Sequence, residues 1–185
     1  PLYLLKISLG LTCWNYISVS MISYSRLFEN QANSIKSSNI PLIFYISEEW
    51  AFQLQTYLLT SIVAILVLTP FDLFLGIRFI SEGLLPNLNL ALFLFWAGVL
   101  VAITCVRVKD IAQLIPTVLQ GIFLCTPILY EKSMLGSYHW LANINVIYWM
   151  ISEIVRTCSG KGVAWGTQLA ILMVNIGLIL VSLRA

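Results

Sequence analysis

Charged side chains are scarce in this 185-residue sequence, with ten Lys and Arg and eight Asp and Glu. An ordinary soluble domain carries roughly a quarter of its residues as charges. That shortage, with a 59% hydrophobic composition and a mean hydropathy of +0.91, argues against a soluble globule. The net charge of +2 is small and its cations are scattered, so no basic stripe forms and nucleic-acid binding is set aside. Histidine occurs once, at His139, and the four cysteines (Cys13, Cys105, Cys125, Cys158) form no CxxC pair, so the usual zinc spacings cannot be assembled. Three of those cysteines lie inside apolar runs, and the four read as free, buried thiols.

Two further absences concern chemistry. A P-loop needs two glycines with four residues between them and then Lys-Ser/Thr, so that backbone amides cradle phosphates. The nearest approach, Ser159-Gly160-Lys161-Gly162, has Val155 at the upstream position and glycine after the lysine. ATP chemistry, if any, falls to a partner, and the chain is expected to carry no cofactor of its own. Carboxylates and histidines at membrane depth, which an embedded enzyme would use, are also missing from the apolar runs. Asp72, beside Pro70, comes nearest, and it reads as a loop-edge carboxylate.

What is present is length of apolar sequence. A bilayer core about 30 Å thick is crossed by roughly 20 residues of helix. Uncharged runs of that length extend from Ile7 to Ser25, Trp50 to Phe71, Gly83 to Val106, Ile111 to Tyr130 and Val163 to Leu183. Lipid forces such runs to be helical, because each backbone group must find its hydrogen bond internally. The expected fold is an all-α, polytopic transmembrane bundle of five spans, one membrane domain over residues 1–185. A sixth run, Ser133 to Ser152, is broken by Gly136, His139, Asn143 and Asn145 and enriched in Tyr and Trp, and suits a re-entrant or interfacial segment. Residues 26–49 hold much of the remaining charge and read as a solvent-side loop containing a short helix.

A five-span arrangement puts Arg26, Lys36, Arg107, Lys109 and Arg184 on one side and Lys6, Arg78, Lys132, Arg156 and Lys161 on the other. The positive-inside tally is a tie, and only the density of the short loop Arg107-Val108-Lys109-Asp110 places that loop in the cytoplasm. Gln113, Pro116 and Gln120 share one helical face, which either lines a polar path or glues helices together. Gly98 with Ala102, and Gly121 with Cys125, are small residues four apart and point to close helix packing. Glu153 and Arg156 are spaced to pair across one helical turn.

Two stretches carry a family likeness. One is Pro1-Leu2-Tyr3-Leu4, Gly10-Leu11 and Trp14-Asn15-Tyr16; the other runs Arg107-Val108-Lys109-Asp110, Leu114-Ile115-Pro116, Leu119-Gln120, Pro127-Ile128-Leu129-Tyr130, Met134, Trp140-Leu141, Asn145 and Glu153 to Arg156. In that order they resemble the permease subunits of ABC exporters for O-antigen, capsule and teichoic-acid polysaccharides. The resemblance implies a multi-pass protein of the bacterial cytoplasmic (inner) membrane, six spans in the full family, of which this chain lacks the first. It implies a homodimer that is not itself an enzyme and that moves lipid-linked polysaccharide, driven by separate ATPase subunits that bind the ATP. It also implies Pro1 and residues 133–152 outside, with residues 26–49, 107–110 and Arg184 inside.

The family's first cytoplasmic loop seats a coupling helix on the ATPase, and Asn39, Leu42 and Ile43 match its pattern. Phe44 and Tyr45 stand where basic residues would be, Ser47-Glu48-Glu49 replaces Phe-Pro, and Asn145-Val146 stands for an outer Asn-Pro. Arg107, Lys109 and Asp110 are the expected cytoplasmic turn. Gln113, Gln120, Tyr130 and Trp140 are the expected glycan path. Rival readings are a drug or small-lipid exporter of the same superfamily, a membrane-embedded glycan-modifying enzyme, and a passive anchor.

Overall fold

The computed structural model describes residues 2–128 and 145–182. Tyr130, Trp140 and Arg184, and all of the expected re-entrant segment before Asn145, lie outside the described residues. Every regular element among the described residues is helical. In chain order they are α1 (Leu2–Asn30), α2 (Ala32–Ser37), α3 (Leu42–Leu68), α4 (Leu75–Ser81), α5 (Leu84–Arg107), α6 (Lys109–Cys125), α7 (Val146–Cys158) and α8 (Trp165–Ser182).

Local sequence explains most of the boundaries. Pro41, in extended conformation, precedes the first turn of α3, where a missing N–H costs nothing. Pro86 is tolerated for the same reason in the first turn of α5. Asn145 caps α7, its side-chain oxygen accepting from the backbone N–H of Tyr148 at 3.2 Å. Past the other end of α7, Gly160 and Gly162 take φ of +78° and +72°, left-handed conformations that favour glycine.

Helix α1 is the axis of the bundle, packed against α3, α5, α6 and α7, while α8 leans on α5. Gly98 lets α1 and α5 approach: a Cβ there would stand 2.5 Å from the Tyr24 ring, and Ala102 lies buried in the same cluster. The small pair expected to mark close packing does so here. The second pair does not, because Gly121 has nothing near it and Cys125 is exposed, so this face of α6 packs against no described part of the chain. Cys125 thereby departs from the expectation of four buried thiols; the other three are buried.

Three helices, α3, α5 and α8, are long and apolar enough to cross a membrane. On α8, and in part on α3, the burial is that of helices solvated by lipid, whereas α5 sits in the core and buries Leu90, Leu94 and Val99. On α8 the buried residues are Gln168, Asn175 and Ser182, whereas Leu169, Met173, Val174, Leu180 and Val181 are exposed. On α3 the buried Gln53 and Ser61 contrast with exposed Leu59, Ile62, Val63, Leu66 and Val67. Water would penalise that arrangement; hydrocarbon, as apolar as leucine, does not.

Two expected boundaries move. The run from Ile111 to Tyr130 is helical only as far as Cys125, because Thr126 turns extended ahead of Pro127. At 17 residues α6 is about 26 Å long, short of a 30 Å core. The expected solvent-side loop over residues 26–49 is mostly helix: α1 runs on to Asn30, α3 starts at Leu42, and only Gln31 and residues 38–41 fall outside helices. Polar side chains are kept on exposed turns there, so the helices continue past the apolar run.

Candidate functional site

The bundle has two chemically distinct ends. At one, Lys6, Arg156 and Lys161 line a single cavity of about 530 Å³, and the Arg78 guanidinium lies against Gly160. At the other, Glu29 and Lys109 share a cavity of about 280 Å³ with Phe28, Ala102 and Cys105, where the ends of α1 and α5 meet the start of α6. Lys6, Arg78, Arg156 and Lys161 thus lie at one end and Lys109 at the other. Helices α1, α3, α5 and α6 each run from one end to the other, joined by packing of Ile46 near Tyr24 at the Lys109 end and of Leu68 near Leu75 at the Lys6 end.

At the Lys109 end, Asn39 lies exposed in the linker between α2 and α3, and Leu42 and Ile43 form the first turn of α3. Ile43 is partly buried against the cluster that holds Tyr24, Leu27, Ile46, Val99 and Ala102, which ties that turn to the bundle. Ile40, Leu42 and Phe44 project outward at 43%, 52% and 55% exposure. Apolar side chains so exposed at the junction of the α2–α3 linker with α3 form a surface of the kind that marks a contact. Arg107 closes α5, and Lys109 and Asp110 open α6 after a single extended residue, Val108. Asp110 sits in the first turn of α6, where the helix dipole favours an acid. The sequence-expected coupling residues and the sequence-expected turn thus come to the same end.

The amide face behaves differently. Gln113 and Gln120 are both exposed and make no hydrogen bond among the described residues, so they do not glue α6 to its neighbours in this chain. Gln120 and Pro116 line a groove of about 410 Å³ between α6 and α1 with Trp14, Ser18, Leu119 and Phe123. Pro116, inside α6, removes one backbone hydrogen bond there. Gln113 lies outside that groove, and Tyr130 and Trp140 lie outside the described residues. Asp72 is a loop-edge acid, pairing with Arg78 at 2.8 Å and accepting from the N–H of Phe74. Glu153 and Arg156 pair at 2.8 Å as their spacing implied.

A buried polar seam went unread in the sequence. Asn89 Nδ2 donates to Gln168 Oε1 at 2.7 Å and to the Gln168 carbonyl at 3.0 Å. Asn175 Nδ2 donates to the Asn89 carbonyl at 3.1 Å, and Trp96 Nε1 donates to Asn175 Oδ1 at 3.1 Å. Gln168 Nε2 continues the chain to Glu153 Oε2. The signal was available: Gln168, Asn175 and Ser182 recur every seven residues, close to two helical turns, on an otherwise apolar helix. A second seam joins α1 to α3 and α5, where Tyr57 stacks on Tyr16 at 4.4 Å, lies 3.5 Å from the Cys13 sulfur and donates to Asn87. Burial pushes the Cys158 thiol, at the end of α7, up to about 12, so it stays protonated at neutral pH.

No protein-family model matches the chain, and no curated protein does either. The geometry defines the class that stands: an all-helical membrane protein whose described helices include three of spanning length and composition.

Proposed function

We propose that the chain is the permease subunit of an ATP-driven exporter of lipid-linked polysaccharide in the bacterial cytoplasmic membrane, with ATP hydrolysis on a separate ATPase subunit. The observation that carries this reading is the exposed apolar patch of Ile40, Leu42 and Phe44, on a turn anchored through Ile43 and lying at the same end as the Arg107–Asp110 turn. A partner seated there would push on α3 directly and on α1 through the packing of Ile46 beside Tyr24. Packed helices answer a push as rigid bodies, which is how a nucleotide cycle elsewhere could open a path along the bundle. The resemblance supplies the identity of the partner and cargo. In this reading α1 and α6 also cross the membrane. The open α6 face with Gly121, Cys125, Gln113 and Gln120 is where a second copy and the glycan path would meet.

The test is co-purification of the protein in mild detergent with its P-loop ATPase. Wild type should retain the ATPase at equal stoichiometry, and Leu42→Asp with Phe44→Asp should lose it while keeping the same elution volume. Retention of the ATPase by that variant would remove the coupling assignment; absence of any ATPase from an intact wild-type dimer would remove the exporter reading.

A further inference from the structure

The cavity at the Lys6 end gathers positive charge that the described residues neutralise only in part. Three cations, Lys6, Arg156 and Lys161, face one space of about 530 Å³ whose described lining includes no carboxylate. That volume falls in the range of small-molecule sites. Lys6 and Lys161 have no ion-pair partner among the described residues. Arg156 donates to Glu153 through Nη2, but its Nε–H is buried without a partner among those residues. Glu153 Oε2 already accepts from both Arg156 and Gln168. Asp72 is taken by Arg78, which leaves Glu82 as the other described acid near this end, close enough to Cys158 to act on its thiol.

Converging cations repel one another, and the repulsion is felt more strongly beside low-dielectric helix walls than in water. An isolated lysine at a helix end normally turns its ammonium to solvent and calls for no ligand. Here three line the same concavity. Their mutual repulsion is relieved by a single anion with several acceptor oxygens, which is the chemistry of a phosphate. The surroundings distinguish the source. Ile128, Ile151 and Val155 form the apolar floor, and Leu4, Val146 and Trp149 are exposed around this end. A free ion gains nothing from such a rim, whereas a lipid lays its acyl chains along it while its head group enters.

We propose that this cavity binds the phosphate head group of an anionic membrane lipid. The site needs neither the exporter reading nor an ATPase, and lies at the opposite end of the bundle from the patch on which that reading rests.

Lipid retention by the purified full chain tests it, with native mass spectrometry reading bound phosphatidylglycerol against phosphatidylcholine and with inorganic phosphate as competitor. Phosphatidylglycerol should be retained selectively. Lys6→Gln with Lys161→Gln should weaken it about 30-fold, each cation near an anionic surface contributing a factor of roughly five. Arg26→Gln with Lys36→Gln, at the other end, should leave retention unchanged, and both double variants should elute as wild type does. Equal retention of the two lipids, or undiminished retention by the Lys6/Lys161 variant, would overturn the proposal. Tight binding of inorganic phosphate with no lipid retained would overturn the lipid source.

Discussion

Helices α7 and α8 are neighbours in the chain and opposites in what they bury. Helix α7 turns Met150, Ile151, Ile154 and Val155 inward and leaves Ser152, Glu153 and Arg156 partly exposed, the pattern of a helix that meets water on one side. Helix α8 turns Gln168, Asn175 and Ser182 inward and leaves its leucines, valines and methionine outward. One bundle thus uses two opposite rules, each suited to the solvent its helix meets. For α7 the driving force is removal of apolar surface from water. For α8 the lipid offers no such force, and interhelical hydrogen bonds at about 0.6 kcal/mol each hold it to α5. The four described bonds of that seam make it worth roughly 2 kcal/mol.

The contrast can be broken from either side. The largest effect is expected on α7: Ile154 is fully buried, and Ile154→Ala should cost about 2–5 kcal/mol through lost contacts and a cavity, read as a fall in the thermal midpoint in detergent. The matching change on α8, Val174→Ala, should move that midpoint hardly at all, because Val174 is 60% exposed. Next comes Val174→Arg, which should cost about 2.5–3.5 kcal/mol in a glycosylation-tag insertion assay if that face meets lipid. Insertion as efficient as wild type would show that α8 faces water or protein there. The smallest of the destabilising changes belongs to the seam. Gln168→Leu removes the bonds to Asn89 Nδ2 and Glu153 and should destabilise by about 1–2 kcal/mol, whereas the same substitution at exposed Gln55 should be neutral. Stabilisation by Gln168→Leu would mean that α8 is held by apolar packing.

How much of this was legible in the sequence follows from the same contrast. Long uncharged runs announce helices because lipid leaves no other backbone solution, so α3, α5 and α8 were readable. The stop at Cys125 was harder to see, since Ile111 to Tyr130 is apolar throughout and only Thr126-Pro127 marks the break. The polar stretch over residues 26–49 reads as loop because polarity resembles irregularity in sequence, whereas helices extend past the hydrocarbon on polar turns. Of the candidate residues, Asn39, Leu42, Ile43, Arg107, Lys109 and Asp110 converge on one end. Gln113 and Gln120 share an open face without a common cavity. The cationic cavity was invisible from sequence because Lys6 and Lys161 are more than 150 residues apart and meet only when α1 packs on α7.

Everything rests on the bundle having two ends in two compartments, with α3 crossing between them. Impermeant maleimide labelling of intact cells tests this most directly, with Asn39→Cys before α3 and Ser81→Cys after it, each in a background carrying Cys125→Ser. The expected result is labelling at Ser81→Cys in intact cells and at Asn39→Cys only after the membrane is opened. Labelling of both positions from the same side would contradict a spanning α3, and with it the permease.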